Sequence, residues 1–338
     1  MIVEMKSGAS QEEVDSVVER AHKLSCDVQL NIGTNKVVVA ILGAHTGQIS
    51  TDLFEVLPGV ASVTRIMRPY KLASREFHEE PTTVKVGDLE VGGKGIVVMA
   101  GPCAIESYNQ LRSTAEHVSS HGARVLRGGA FKPRTSPFSF QGLGSDGVEV
   151  MYRVRKELGI PVVSEITDPH YLDAMIDRVD ILQVGARNMQ NYALLRAVGE
   201  SQRPCILKRG LAATVTEWLQ AADYVLSAGN PNVILCERGI RTYETTTRFT
   251  LDISSVAVVK RDSHLPIIVD PSHAAGHFAL VPKLAKAAVA AGADGILIEV
   301  HPDPVNALSD GLQSLTFSDF ATLMDDLRAI AQAVGRTI

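Results

Sequence analysis

Apolar and polar residues follow two different patterns along the chain, and the pattern changes near residue 95. Before it, short apolar stretches predict strands at 1–5, 28–32, 36–42 and 60–67, with helices over 10–24 and 51–57. Ser10 followed by Glu12 and Glu13 is typical of a helix start, and Gly33-Thr34-Asn35 is typical of a hairpin turn. The order βαββαβ predicts a small ferredoxin-like domain over 1–70.

A strict alternation of strands and helices fills the rest of the chain, after a connector. The connector spans 71–93 and contains a predicted hairpin, 83–86 against 89–91. The apolar runs that predict strands then lie at 96–100, 124–127, 161–165, 181–184, 205–208, 233–236, 267–269 and 295–300. Helical patterns lie between them, for example over 214–227 and 281–291, and a last one covers 317–334.

Eight such units imply a parallel sheet, and their span of about 240 residues fits a closed barrel better than an open sheet. No GxGxxG motif follows the first strand, which removes the main signal for a dinucleotide-binding fold. The predicted fold class is therefore α/β: a (β/α)₈ TIM barrel over 94–338, preceded by the ferredoxin-like domain.

Composition narrows the classes of function. The 338 residues carry a net charge of −5, which argues against a general nucleic-acid or membrane-surface binder. The four cysteines are scattered without a CxxC pair, and no apolar window reaches the roughly 20 residues that span a membrane. We expect a cytoplasmic protein with reduced thiols and neither a nucleic-acid nor a membrane partner.

Positive side chains accumulate where the predicted barrel strands end. Barrel active sites are built from these strand ends and the loops after them. The cations found there are Arg127, Lys132, Arg134, Arg187, Lys208, Arg209 and Arg238. They outnumber the nearby acids, such as Glu165 and Glu237, so binding of phosphates and carboxylates is favoured over purely structural ion pairs.

A second group of strand-end residues indicates a metal site. Cys103, His273 and Glu299 end the first, seventh and eighth strands, which are neighbours in a closed barrel. Asp310, in the loop after the eighth strand, can complete the group. Sulfur, nitrogen and oxygen ligands together suit one divalent ion of the Mn, Fe, Co or Zn class. Taken singly, Cys103 could instead be a small buried apolar residue and His273 a hydrogen-bonded polar one.

Seven motifs resemble those of 3-deoxy-D-arabino-heptulosonate 7-phosphate (DAHP) synthases, in the short-barrel (type I beta) branch with a ferredoxin-like N-terminal domain. They are AGPC at 100–103, RGGAFKPRTSPFSFQGLG at 127–144, QVGARNMQN at 183–191, LKRG at 207–210, CERGIRT at 236–242, DPSHAAG at 270–276 and EVHPDP at 299–304. The resemblance implies condensation of phosphoenolpyruvate with erythrose 4-phosphate and water, with release of phosphate, as the first step of the shikimate pathway.

The resemblance also assigns residues. It places phosphoenolpyruvate among Arg127, Lys132, Gln183, Ala186, Arg187, Lys208 and Arg238. It places erythrose 4-phosphate on Pro133, Arg134, Thr135 and Ser136. Cys103, His273, Glu299 and Asp310 would hold the metal, and Lys132, Glu165, His273 and Cys103 form the catalytic set. For the N-terminal domain, it implies feedback binding of Tyr or Phe in a homotetramer, whereas a domain serving only assembly is the alternative.

Three other functions stay open at this stage. A 3-deoxy-D-manno-octulosonate 8-phosphate synthase shares the chemistry, although the KPRTS sequence at 132–136 favours the four-carbon acceptor. A Schiff-base aldolase would use Lys208 as an amine nucleophile. A non-catalytic sensor of aromatic amino acids would have lost site residues, and none of the expected types is missing.

Overall fold

A computed structural model of the protein describes residues 1–33, 36–65, 68–134 and 136–338. The chain folds as two compact units, Met1–Glu80 and Pro81–Ile338. The domain limits expected from the sequence, with a connector over 71–93, stay predictions. None of the described helices is both long and apolar enough to cross a membrane.

The first unit is a four-stranded antiparallel sheet with two helices. Its elements are β1 (Ile2–Met5), α1 (Gln11–Lys23), β2 (Asp27–Ile32), β3 (Val37–Leu42), α2 (Asp52–Glu55) and β4 (Val60–Thr64), with strand order β2-β3-β1-β4. Ser10 caps α1 in a capping box with Glu13. Thr34 and Asn35 of the predicted turn, and Ile66 and Met67 at the end of the predicted last strand, lie outside the described residues. The βαββαβ order predicted from the sequence is confirmed.

The second unit begins with a hairpin of β5 (Val84–Val86) and β6 (Leu89–Val91). The barrel strands follow: β7 (Val97–Gly101), β8 (Val125–Arg127), β9 (Val162–Ile166), β10 (Ile181–Val184), β11 (Cys205–Lys208), β12 (Val233–Glu237), β13 (Ile267–Val269) and β14 (Gly295–Glu299). They close in the order β10-β11-β12-β13-β14-β7-β8-β9, and every neighbouring pair is parallel. The predicted (β/α)₈ barrel is confirmed.

Helices surround the barrel and follow its strands. They are α3 (Tyr108–Ser120), α4 (Ser145–Leu158), α5 (Leu172–Met175), α6 (Tyr192–Glu200), α7 (Val215–Ser227), α8 (Ser254–Asp262), α9 (Pro271–Ala275), α10 (Val281–Ala290) and α11 (Phe317–Ala333). The short helix α9 is additional to the outer ring and directly follows β13. It brings a histidine to the mouth of the barrel.

The interior of the barrel is filled by apolar side chains and closed at its N-terminal end. Val84, Val86, Leu89 and Val91 of the hairpin join one buried cluster with barrel residues such as Met99. The hairpin therefore covers the N-terminal end, and the loops that carry chemistry lie at the other end, as expected for this architecture.

Candidate active site and metal centre

A cavity of about 310 Å³ lies at the C-terminal mouth of the barrel. Cations from β8 and β11 and from the loops after β8, β10 and β12 line it: Arg127, Lys132, Arg134, Arg187, Lys208, Arg238 and Arg248. The uncharged residues expected at the two substrate positions line it as well: Gln183, Ala186, Pro133 and Ser136. Thr135 lies outside the described residues. The structure thus brings the other residues expected at the two substrate positions together around one cavity.

Four potential metal ligands converge beside this cavity. One ligand atom from each of Cys103, His273, Glu299 and Asp310 lies within 4.8 Å of the others. They meet because β13, β14 and β7 are adjacent in the closed barrel. His273 and Asp310 line the cavity, while Cys103 and Glu299 are buried behind them. A group with this geometry and a thiol, an imidazole and two carboxylates fits a divalent transition metal or zinc.

The charge state of Cys103 is controlled by burial and by its neighbours. Burial and the charge of Glu299 raise the pKa of the Cys103 thiol to about 11, against opposition from Lys132 and Arg127. The Lys132 ammonium donates to the Cys103 sulfur and to the Cys103 carbonyl oxygen, both at 3.0 Å. Without a metal the thiol therefore keeps its proton at neutral pH, and it must lose that proton to become a ligand.

Both carboxylates among the four potential metal ligands are held in the ionised form. Burial opposes ionisation of Asp310, but the nearby His273 and Arg248 lower its pKa to about 2. Burial also opposes ionisation of Glu299, yet His273 and Arg127 hold its pKa below the usual value. Arg127 Nη1 lies 2.8 Å from Glu299 Oε1. The two carboxylates are thus charged before any ion arrives.

His273 is fixed by Asp270, the residue that ends β13. Asp270 Oδ1 accepts from the His273 backbone N–H at 2.9 Å and so caps α9. Its Oδ2 lies 2.7 Å from His273 Nδ1 and 2.5 Å from Lys208 Nζ. Burial lowers the pKa of His273, which keeps the imidazole neutral near pH 7. Nε2, which lies 3.4 Å from Glu299 Oε1, is therefore the nitrogen that faces the metal position.

The cations differ in how far the protein already compensates them. Arg127, Lys208 and Arg248 have carboxylate partners in Glu299, Asp270 and Asp310. Lys132, Arg134 and Arg238 form no ion pair within the described part of the chain. Arg238 packs over the Phe249 ring, 4.2 Å from its centroid, and burial lowers its pKa. A buried arginine without an acidic partner indicates that an anionic ligand supplies the missing charge.

The loop after β8 links the cavity to the candidate metal-binding group, Cys103, His273, Glu299 and Asp310. Arg134 Nε donates to the Phe140 carbonyl at 3.0 Å, and its Nη2 contacts Ser309 Oγ. The same Ser309 hydroxyl lies 3.1 Å from the Cys103 sulfur. Ser309 therefore connects Arg134, in the loop expected to bind a sugar phosphate, with Cys103.

Glu165, at the C-terminal end of β9, depends on a glycine beside it. Gln183 of β10 pairs in register with Glu165, and Gly185 follows two residues later. A Cβ atom at Gly185 would lie 2.0 Å from Glu165 Oε1. Glycine at this position allows the Glu165 carboxylate to reach the cavity, which it lines.

Several charges that the sequence placed at strand ends have a structural role instead. Arg209 Nη1 lies 2.9 Å from Glu237 Oε2 and 2.8 Å from Asp252 Oδ2. These residues form a buried ion-pair cluster and do not line the cavity. For Arg209, the alternative of a purely structural ion pair holds.

Sequence reasoning missed four residues of the site: Asp270, Ser309, Arg248 and Gln313. Asp270 begins the DPSHAAG motif without having been given a role, and Ser309 stands beside the predicted ligand Asp310, so both positions offered a usable signal. Arg248 and Gln313 lie in loops without a recognisable pattern. Their position is known only from the structure.

Comparison with known proteins agrees with this geometry. The model of the DAHP synthetase I family matches residues 77–333, and that of the DAHP synthase ferredoxin-like domain matches residues 1–68. The chain is 45% identical to a phospho-2-dehydro-3-deoxyheptonate aldolase of Thermotoga maritima over 335 residues, which is 99% of each chain. It is 31% identical to a 2-dehydro-3-deoxyphosphooctonate aldolase of Desulfosudis oleivorans, over 74% of this chain and 96% of that protein.

Solved structures give the same relationship. The crystal structure of the phospho-2-dehydro-3-deoxyheptonate aldolase (DAHP synthase) of Thermotoga maritima superposes with a TM-score of 0.80 at 45% identity, covering 99% of this chain and 98% of that one. A truncated form of the 3-deoxy-D-arabino-heptulosonate 7-phosphate synthase from the same organism matches with a TM-score of 0.75 at 44% identity, over 79% of this chain and 98% of that one. The chain belongs to the DAHP synthetase I family, as the seven sequence motifs predicted.

Proposed function

We propose that this chain is a DAHP synthase that condenses phosphoenolpyruvate with erythrose 4-phosphate and water at the mouth of the barrel. Carbon 3 of phosphoenolpyruvate bonds to the aldehyde carbon, water adds at carbon 2, and the bond from carbon 2 to the phosphate oxygen breaks to release phosphate. The observation that carries the proposal is a candidate metal-binding group beside a cavity whose lining includes seven cations. Two anionic substrates need such charge compensation before their carbons can approach each other.

We assign Cys103, His273, Glu299 and Asp310 as the ligands of one divalent ion of the Mn, Fe, Co or Zn class. When bound, such an ion supplies Lewis-acid polarisation of the aldehyde of erythrose 4-phosphate. The protein prepares the ligands: Asp270 orients His273, and Lys132 stabilises the thiolate that Cys103 forms.

Phosphoenolpyruvate is assigned to the cations and polar groups of β8, β10, β11 and β12 and their loops: Arg127, Lys132, Gln183, Ala186, Arg187, Lys208 and Arg238. Arginine binds carboxylate and phosphate through paired N–H donors, and lysine acts as a point charge. Arg238 is buried and has no acidic partner among the described residues, so an incoming phosphate would supply its missing counter-charge. Lys208 is already in an ion pair with Asp270, which suits a charged donor and disfavours the Schiff-base alternative.

Erythrose 4-phosphate is assigned to Pro133, Arg134, Thr135 and Ser136. Arg134 has no carboxylate partner in the described part of the chain, and its contact with Ser309 leads towards Cys103. A phosphate on Arg134 would therefore leave the aldehyde end of a four-carbon sugar on the side of the metal-binding group. The proton transfers to and from the added water are assigned to Glu165 and Lys132, which line the same cavity.

The ferredoxin-like domain of 1–68 supports a further proposal about control. We infer that it binds an aromatic end product, Tyr or Phe, as a feedback ligand in a cytoplasmic homotetramer. Steady-state inhibition assays with each amino acid, and light scattering for the oligomeric state, test these two statements. A domain that serves only assembly would leave the rate unchanged at millimolar Tyr and Phe.

The experiment that tests the proposed function measures phosphate release from phosphoenolpyruvate. Rapid release is expected with erythrose 4-phosphate plus Mn²⁺, loss after treatment with EDTA, and recovery when Mn²⁺ is returned. Arabinose 5-phosphate should give little release. Preference for the five-carbon sugar would instead favour the octulosonate alternative, and full activity after complete metal removal would contradict the assigned ligands.

A further inference from the structure

Two side chains that the proposed function leaves unassigned, Arg248 and Gln313, contact the carboxylates of the candidate metal-binding group, and Arg248 also lines the cavity. Gln313 is buried, at 2% exposure, three residues after Asp310. Its Nε2 donates to Glu299 Oε2 at 2.6 Å, and its Oε1 accepts from Arg248 Nη1 at 2.7 Å. Arg248 Nη1 also lies 3.3 Å from Asp310 Oδ1. The pair thus bridges the two carboxylates of the group.

Each of these carboxylates has one oxygen tied outward and one facing the other ligands. Glu299 Oε2 is held by Gln313, whereas Oε1 lies 3.4 Å from His273 Nε2 and also accepts from Arg127 Nη1 at 2.8 Å. Asp310 Oδ1 is held by Arg248, whereas Oδ2 accepts from the Cys103 thiol at 3.2 Å. The outer contacts therefore select which carboxylate oxygen faces the metal position.

The orientation of the Gln313 amide is determined by its surroundings. Reversing the amide would direct its NH₂ at the Arg248 guanidinium and its oxygen at the Glu299 carboxylate, and both contacts would be repulsive. A glutamine that donates on one side and accepts on the other is what this position requires. Neither a hydrophobic residue nor a charged one reproduces both bonds.

Arg248 is seated on the helix that carries His273. The backbone N–H of Phe249 donates to the Ala274 carbonyl at 2.9 Å, and that of Arg248 donates to Ala275 at 3.3 Å. Gly276, which ends α9 with φ of +71°, leaves room for the arginine, since a Cβ there would lie 2.4 Å from Arg248 Cβ. Arg248 therefore connects the His273 helix with the loop that carries Asp310 and Gln313.

We propose that Arg248 and Gln313 are positioning residues that orient Glu299 and Asp310 and thereby strengthen binding of the divalent ion. The inference rests on the proposed function only in placing that ion on Cys103, His273, Glu299 and Asp310. Outer partners that hold ligands in one orientation typically contribute 10- to 100-fold in metal affinity.

The test compares Mn²⁺ affinity and the visible spectrum of bound Co²⁺ in wild type, Gln313→Met and Arg248→Met. Methionine keeps the approximate length of glutamine and removes both hydrogen bonds. We expect each variant to bind Mn²⁺ about 10- to 100-fold more weakly. The thiolate-to-cobalt absorption from Cys103 should persist, while the ligand-field bands shift because the carboxylates lose their fixed orientation. The double variant should lose less than the product of the single losses, because the two residues act as one unit.

Asn230→Leu is the matched control. Asn230 is a fully buried amide that makes two hydrogen bonds, to the Arg203 carbonyl and from the Asn232 N–H, just before β12 at the other end of the barrel. Asn230→Leu should lower the free energy of unfolding as Gln313→Met does, and it should leave the Mn²⁺ affinity within about twofold of wild type. Arg248 is 36% exposed, so Arg248→Met tests the proposal even where Gln313→Met folds poorly.

The outcomes separate this inference from the proposed function. Wild-type Mn²⁺ affinity and an unchanged Co²⁺ spectrum in both variants would overturn the positioning role and leave the synthase proposal intact. Equal losses of affinity in Asn230→Leu would also overturn it, since the effect would then be one of general stability. A wild-type protein that binds neither Mn²⁺ nor Co²⁺ would contradict the proposed function itself.

Discussion

Asp270→Asn is the substitution that most directly probes how the phosphate side and the metal side of the mouth are coupled. The Asp270 carboxylate is fully buried, and its Oδ2 atom contacts both Lys208 Nζ, at 2.5 Å, and His273 Nδ1, at 2.7 Å. Asparagine keeps an oxygen that can cap α9, but it places either an NH₂ or an uncharged oxygen against two donors. The substitution therefore removes the charge and one acceptor without changing the volume.

Two magnitudes follow from these contacts. Loss of one partner of a buried ion pair leaves Lys208 uncompensated and costs about 3–5 kcal/mol in the free energy of unfolding. Loss of the bond to Nδ1 leaves His273 without its orienting partner, and this weakens metal binding about 10- to 100-fold. The second effect corresponds to about 1.4–2.8 kcal/mol of binding free energy.

The assay combines guanidinium unfolding with Mn²⁺ titration. Trp218 is the only tryptophan and is fully buried on α7, so its fluorescence reports unfolding of the barrel. Asp294→Asn is the control, because Asp294 is equally buried and pairs with Lys260 at 2.8 Å, but it lies just before β14 at the opposite end of the barrel. The control should lose stability and keep its Mn²⁺ affinity. An Asp270→Asn protein with both wild-type stability and wild-type affinity would refute the coupling.

Four further predictions concern the ligands and their neighbours. Cys103→Ala should abolish metal-dependent turnover with an unchanged far-UV circular dichroism spectrum, and undiminished activity would exclude Cys103 as a ligand. Arg134→Ala should raise the KM for erythrose 4-phosphate about 10- to 100-fold, because one charge-assisted contact is worth roughly 1.5–3 kcal/mol. The KM for phosphoenolpyruvate should stay within about twofold of wild type. Equal increases in both KM values would contradict the two phosphate positions. As the pH rises from about 7 to 9, the apparent Kd for Mn²⁺ should fall about tenfold per pH unit, because the Cys103 thiol, with a pKa of about 11, must release one proton while His273 is already neutral. A pH-independent Kd would show that no thiol proton is displaced. Gly185→Ala should lower kcat at least about tenfold, because the new Cβ displaces the Glu165 carboxylate. Gly47→Ala is the control and should keep the wild-type kcat, because a Cβ at Gly47 meets nothing within 4 Å. Equal rates in the two variants would argue against a catalytic Glu165.

The fold was predictable from the sequence because its signals are local and repeat. Each barrel strand is a short apolar run bounded by polar segments, so eight of them and their order could be read directly. The ends of the barrel strands differ from the predicted ones by at most one residue, as where β7 begins at Val97 and ends at Gly101. The short helix α9 could not be predicted from periodicity, because its five residues are fewer than two helical turns.

The site was predictable only as far as motifs reach. Cys103, His273 and Glu299 could be brought together by barrel closure alone, because strand order fixes which strand ends are neighbours. Which carboxylate serves which cation could not be predicted, since Arg127 finds Glu299 and Lys208 finds Asp270 through contacts between distant strands. A motif can also mislead. Arg209 stands in a strand-end motif, but it forms ion pairs with Glu237 and Asp252 and does not line the cavity.

We claim that a divalent ion on Cys103, His273, Glu299 and Asp310 stands beside bound phosphoenolpyruvate. Anomalous diffraction at the manganese edge, from crystals soaked in Mn²⁺ and phosphoenolpyruvate, measures this directly. We predict a single strong peak within about 2.5 Å of one atom of each ligand, with the phosphoenolpyruvate phosphate in contact with Arg238. A manganese peak elsewhere in the protein, with none between these four side chains, would contradict the claim.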